Sequence, residues 1–179
     1  MKKVLTALAL SVLSTTAFAA EEAADKSGFN VQVGYAYTGG DVYTDEGSTN
    51  TGVAFGANYT FNNGFMIGAM HQPDAYSVKS YSASLEAALT TIYVGYQSDD
   101  NWRVNAGVAM VDVEATATFY TGEWLNPYQT LSAEQTYNGF NFGVGYVFDN
   151  NVTLDLQNSI VDIEGDTAIN TALMLGYKF

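Results

Sequence analysis

The chain has 179 residues, with 6 Lys+Arg against 19 Asp+Glu, no cysteine and 2 prolines. That length suits one compact domain. The missing cysteines exclude a disulfide framework and any thiolate metal site, and so few basic residues exclude neutralising the phosphates of a nucleic acid. With 13 Tyr, 10 Phe and 17 Gly, what remains is an all-β domain or a membrane-bound one.

Met1-Lys2-Lys3 is a short positive start, followed by an apolar run from Val4 to Leu13 and then Ala17-Phe18-Ala19. This is the layout of a cleaved secretory leader over residues 1–19 with an A-x-A cleavage site; the apolar run is too short for a membrane anchor. Removing it takes away Lys2 and Lys3 and no acid, so four Lys+Arg then face 19 Asp+Glu, a net −15. Residues 20–28 follow as a brief polar periplasmic segment. No later stretch reaches the ~18 consecutive apolar residues of a transmembrane helix. A lipid-embedded chain without such helices must close its backbone hydrogen bonds between strands, as a barrel.

The remaining sequence, 29–179, alternates with period two. Phe29, Val31, Val33, Tyr35 and Tyr37 share one face of the first segment, opposite Asn30, Gln32, Gly34, Ala36 and Thr38. Val53, Phe55, Ala57, Tyr59 and Phe61 do so in the second, which ends at the turn Asn62-Asn63-Gly64. In the third, Phe65, Ile67 and Ala69 alternate with Met66, Gly68 and Met70, so both faces are apolar. Either Phe65 and His71 both face lipid, or the opposite parity buries Phe65 and Ile67, and a bulge could reconcile the two. The fourth segment sets Ile92, Val94 and Tyr96 against Tyr93, Gly95 and Gln97. The fifth runs from Trp102 through Val104, Ala106, Val108 and Met110. Phe140 to Phe148, Val152 to Ile160 and Ile169 to Phe179 complete eight.

Period two also describes a soluble sandwich, and charge spacing separates the two cases. On the apolar face the first charge after Trp102 is Asp112, the first after Val152 is Asp162, and the first before Tyr96 is Glu86, each ten residues away. Ten residues of strand at ~3.3 Å, tilted ~40°, rise about 25 Å, the height of an outer-membrane apolar band. The apolar face therefore meets lipid and the polar, Gly-rich face lines the lumen. Phe29, Tyr59, Phe61, Tyr96, Trp102, Tyr146, Phe148, Tyr177 and Phe179 cluster at strand ends beside the short turns, as one interfacial girdle. The expected fold is all-β: an eight-stranded antiparallel up-and-down transmembrane β-barrel, monomeric, with short periplasmic turns near 62–64, 98–101 and 149–151. The outer connections are expected over about 39–49, 71–84, 113–137 and 163–166.

So small a barrel has a lumen that side chains nearly fill. The inward charges Arg103, Asp155 and Lys178 fall near its periplasmic end and are expected to satisfy one another in a polar network. Inward glycines such as Gly56, Gly95 and Gly143 could leave water-filled voids, which keeps a narrow pore open as an alternative.

The leader, the eight alternating segments and the ending Leu173-Met174-Leu175-Gly176-Tyr177-Lys178-Phe179 resemble the small outer-membrane β-barrel proteins of Gram-negative bacteria, of the OmpX/Ail and OmpA-barrel type. The terminal Phe with apolar or aromatic residues at alternate positions is similar to that family's barrel-assembly signal, which makes Leu175, Tyr177 and Phe179 the elements read by the assembly machinery. The chain differs from the OmpX pattern in carrying few lumenal charges. The resemblance implies an integral outer-membrane protein with structural, envelope-integrity, adhesive or host-interaction roles, in contact with outer-membrane lipid and lipopolysaccharide and without chemistry or cofactor.

A lipid A-modifying enzyme is the rival reading. It needs a general base beside a hydroxyl nucleophile, and the single histidine, His71, is followed by Asp74 and Ser77 in the same connection; that spacing is not the hydrolase arrangement, and an interfacial histidine is the expected reading. The acids Asp162, Glu164 and Asp166 alternate as hard-cation ligands would, although a solvated acidic rim has the same composition. The third outer connection is the most suggestive. There the polar set crosses to the lipid-facing parity (Asp112, Glu114, Thr116, Thr118, Tyr120), as expected of a strand leaving the membrane, and Tyr120, Trp124, Tyr128 and Leu131 gather near its tip. These are candidate contacts with a host or extracellular protein, reached by aromatic anchors or by augmentation of a strand edge; the alternative folds them onto the barrel mouth.

Overall fold

The computed structural model describes residues 26–40, 50–80, 82–121 and 128–179. The leader and Trp124 lie outside them. Eight strands close into one antiparallel barrel in chain order: β1 (Gly28–Gly40), β2 (Thr51–Thr60), β3 (Phe65–Lys79), β4 (Ala83–Gln97), β5 (Trp102–Tyr120), β6 (Tyr128–Val147), β7 (Val152–Ile163) and β8 (Asp166–Lys178). Closure pairs β1 with β8 from Asn30↔Lys178 to Gly40↔Ala168, which abolishes sheet edges inside the membrane. Among the described residues no helix is long and apolar enough to cross a membrane.

The alternation has the expected sense. Val31, Val33, Phe55, Ile92, Val104, Val108, Phe142, Leu154 and Leu173 are exposed, while Asn30, Gln32, Asn58, Gln97, Arg103, Asn105, Asn141 and Asp155 are buried. A water-borne protein inverts this distribution; a strand barrel in hydrocarbon requires it. Turn chemistry sets the short ends: Asn101 and Asn151 hold φ of 63° and 64°, values that asparagine tolerates better than most residues. The girdle aromatics meet edge to face, with ring centroids 5.3 Å apart for Trp102–Tyr146 and 5.0 Å for both Tyr59–Phe61 and Tyr177–Phe179.

Two sequence expectations are settled or changed here. The third strand places Phe65, Ile67 and His71 outward and Met66 and Met70 inward, and the bulge falls beyond His71, where the register with β4 shifts between Gln72 and Tyr76. Pro73 lies inside that shift, where a missing amide donor costs no ladder bond. The expected connection over 71–84 is mostly strand: β3 continues to Lys79 and β4 begins at Ala83. Polar side chains on the lipid face find each other across strands. Asn158 Oδ1 accepts from Thr171 Oγ1 at 3.0 Å, and His71 Nδ1 lies 3.0 Å from Thr90 Oγ1.

Candidate functional site

The lumen has two tiers. Near the periplasmic end Arg103 and Asp155, each with only 1% of its side chain exposed, form an ion pair. Arg103 Nε donates to Asp155 Oδ1 at 3.1 Å while Nη2 donates to Oδ2, a bidentate clasp. Gln32 Nε2 donates to the same carboxylate, Arg103 Nη1 reaches Asn58 Oδ1 at 3.4 Å, and Asn58 Nδ2 donates to the Tyr93 hydroxyl at 3.4 Å. This layer draws on β1, β2, β4, β5 and β7, so it spans the barrel. Lys178 stands apart from it, a correction to the expected three-membered network: its Nζ donates to Gln97 Oε1 at 3.0 Å and to the Lys26 carbonyl. β8 places Lys178 lower along the barrel, beside Asn30 rather than beside Asp155.

Inward glycines in this tier make room for large neighbours. A Cβ on Gly68 would stand 2.6 Å from the Tyr93 ring, and one on Gly143 would strike the Gln157 amide. At these two positions the backbone thereby gives way to side chains that fill the space a Cβ would take. Higher up, Ala36, Ala54, Met70, Leu89, Val111, Val161 and Met174 form an apolar tier. One polar trio crosses it, with Asn170 Nδ2 donating to Gln72 Oε1 at 2.8 Å and to Thr38 Oγ1 at 2.7 Å.

Beyond the apolar band the barrel is not symmetric. Pairing between β2 and β3 stops at Phe55↔His71, and pairing between β6 and β7 stops at Gly139↔Val161. β3, β4, β5 and β6 continue as a four-stranded sheet: β4 pairs with β5 up to Ala83↔Ala117, and β5 with β6 up to Tyr120↔Tyr128. From Asp112 to Tyr120 this is about 26 Å of strand outside the band. Its inward face carries Val78, Leu85, Ala115, Ala117, Leu131 and Ala133, which line an open groove of about 590 Å³. At the tip Tyr120 and Tyr128 stack edge to face at 5.6 Å, and both stay exposed (67% and 64%), so they do not fold back over the mouth.

The groove is absent from the sequence expectations. Its signal is there, in Ala83, Leu85, Ala115, Ala117, Leu131 and Ala133 on the lumenal parity above the membrane, but alanine in a strand attracts no notice until neighbouring strands align.

The remaining candidates do not converge. His71 points outward and contacts Thr90, not Asp74 or Ser77. Asp162 Oδ1 accepts from the Gly165 amide at 3.1 Å, and Glu164 Oε1 accepts from the Tyr137 hydroxyl at 3.1 Å. Both carboxylates thus brace the β7–β8 turn, and among the described residues no group of acids or histidine could hold a metal ion. In the terminal segment Leu175, Tyr177 and Phe179 all face outward.

Comparison with known proteins agrees with this geometry. The model of the outer membrane protein beta-barrel domain matches residues 5–179. A search of the curated proteins finds no match. Among solved structures, Ail, the attachment invasion locus protein of Yersinia pestis, superposes with a TM-score of 0.61 at 14% identity, covering 87% of this chain and 100% of that one. Ail in complex with the heparin analogue sucrose octasulfate gives 0.64 at the same identity and coverage. OprG of Pseudomonas aeruginosa gives 0.50 at 11% identity, covering 86% and 96%. At these identities the likeness is one of fold.

Proposed function

Because this chain belongs to the outer membrane protein beta-barrel domain family, and is therefore an integral outer-membrane barrel, we propose that it is a non-enzymatic surface-contact protein whose projecting β3–β6 sheet meets a host or extracellular protein. The observation that carries this reading is the sheet itself. Four strands leave the membrane together, end in two exposed tyrosines and enclose an apolar groove, a costly amount of exposed apolar surface unless a partner covers it. Below it, the Arg103–Asp155 layer spans the lumen, which speaks against an open pore. The dispersal of His71, Asp74 and Ser77 speaks against the acyl-transfer reading. Ail, whose name records attachment, shares the barrel and lends the reading support. Leu175, Tyr177 and Phe179 would serve the assembly machinery, and the lipid-facing band would sit among lipopolysaccharide acyl chains.

The test is attachment by bacteria displaying the barrel. Tyr120→Ser with Tyr128→Ser, and Trp124→Ser added, should abolish binding to cultured cells or matrix proteins while the barrel stays folded by heat-shift electrophoresis. Undiminished attachment by the triple variant would overturn the reading.

A further inference from the structure

The lipid-facing row of β7 contains a misfit. Leu154, Leu156 and Ile160 point out of the barrel, and Asn158 takes the place between the last two. It lies four positions short of Asp162 on the same face, which sets its amide about 10 Å beneath the outer edge of the apolar band. Asn158 Oδ1 accepts from Thr171 Oγ1 on β8 at 3.0 Å. Its Nδ2 hydrogens have no partner among the described residues. Phe142 flanks it on β6, and Leu156 and Ile160 stand opposite Leu173 and Ile169 on β8.

Hydrocarbon offers no acceptor, and an amide donor left unpaired there is costly. Lipid tails are as apolar as leucine, so apolar side chains alone do not prefer a protein neighbour to lipid; a polar group does. What this wall lacks is a hydrogen-bond acceptor at the depth of Asn158. Every copy of the chain enters the membrane with the same end outward, so a second copy brings its own Asn158 Oδ1, with a spare lone pair, to that same depth. A twofold axis along the membrane normal then lets each Nδ2 donate to the other Oδ1, a self-complementary contact.

The outer end of the barrel leaves room for such a neighbour. The projecting sheet rises on β3–β6, whereas β7 and β8 finish at the tight turn closed by Ile163↔Asp166. Asp162 stands at the rim of the same wall, its Oδ1 held by the Gly165 amide at 3.1 Å, where water and salt screen it from its copy. The other polar pair on the lipid face, His71 with Thr90, lies four strands away, with Thr90 four positions from Glu86 and so at similar depth. There the sheet bearing Lys79, Glu86 and Glu114 rises directly above and would crowd a second barrel.

We propose that the lipid-facing wall of β7 and β8 is the interface of a dimer of this chain, centred on a reciprocal amide pair between Asn158 and the second copy's Asn158. The sequence leads one to expect a monomer, because there Asn158 is one polar letter in an apolar row. The inference stands apart from the surface-contact reading, and it leaves both projecting sheets free on the outer flanks of the pair.

The test uses the mature barrel reconstituted in phosphatidylcholine vesicles. A fluorophore is carried on Asp149→Cys, in the exposed β6–β7 turn of a chain with no cysteine of its own. Energy transfer between copies should rise with barrel density to a plateau above the level that random placement gives. Asn158→Leu should weaken this association about tenfold, the order of a reciprocal hydrogen-bond pair in hydrocarbon, while heat-shift electrophoresis shows a folded barrel. In chains without the fluorophore, Asn158→Cys should give a dimer band with phenylene bismaleimide, and His71→Cys, at similar depth on the opposite wall, should not. Native barrels that transfer no more energy than randomly placed ones would overturn the proposal. So would Asn158→Leu barrels that associate as the native ones do, or His71→Cys barrels that cross-link as readily as Asn158→Cys.

Discussion

Inside the membrane β5 and β6 turn Val104, Val108, Phe140 and Phe142 outward and Asn105 and Asn141 inward; beyond Asp112 the same strands turn Glu114, Thr116 and Glu134 outward and Ala115, Ala117 and Leu131 inward. The ladder continues through this inversion without a break in register. Strand pairing is thus indifferent to which face is greasy, and the solvent on the outside decides. Hydrocarbon demands an apolar exterior, and water demands a polar one. The residue at which the pattern reverses marks the membrane surface on each strand. The price of the reversal is an inner apolar face that leaves the packed lumen and stands in the open.

The comparison breaks most severely at the lumen floor. Arg103→Ala or Asp155→Ala leaves one buried charge without its partner and should cost about 3–5 kcal/mol, read as a lower urea midpoint in detergent; Arg103→Met with Asp155→Leu should recover most of that loss. If the single variants unfold at the native midpoint, the floor is not held by this pair. The membrane side of the inversion is tested by Val108→Lys, near mid-band on the lipid face, which should cost about 2–4 kcal/mol. Thr116→Lys, on the same face of the same strand past Asp112, should change stability by no more than ~0.5 kcal/mol. Similar costs for the two would erase the proposed boundary. Gly68→Ala forces the Tyr93 ring aside and should cost about 1–3 kcal/mol, visible as a shifted near-ultraviolet tyrosine signal.

The smallest effect belongs to the projecting sheet's own ion pair. The hydrogen bond to Glu86 raises the Lys79 pKa above its ordinary 10.5. A raised lysine contributes its stability in full below that ordinary value and loses it as pH climbs through the raised one. Lys79 is exposed, so the contribution is slight. Lys79→Met should lower the melting temperature only slightly at pH 7, and that difference should vanish as the pH climbs through the raised Lys79 value. A gap that widens with pH would contradict this sign.

Much of this was legible in the chain because period two, a ten-residue charge spacing and a lipid exterior leave one arrangement of Trp102, Val104 and Asp112. The bulge after His71 was not, because β3 alone does not reveal that Gln72 and Tyr76, four residues apart, oppose Leu89 and Ala87, only two apart on β4. Arg103 and Asp155 were recognisable as inward charges, but which of Asp155 and Gln97 lies nearest to Arg103 or Lys178 depends on the stagger of strands around the barrel. The groove depended on the same alignment: Ala83, Ala115 and Ala133 come from three strands and gain meaning only side by side.

The β1–β8 seam unites residues near 30 with residues near 178. No shorter segment can satisfy the first strand's outer edge, and a loop spanning nearly the whole sequence must close before that edge is sealed. Until residues so distant in sequence meet, the outer edge of β1 stays unsealed. At that seam the Phe179 amide donates to the Phe29 carbonyl at 2.7 Å.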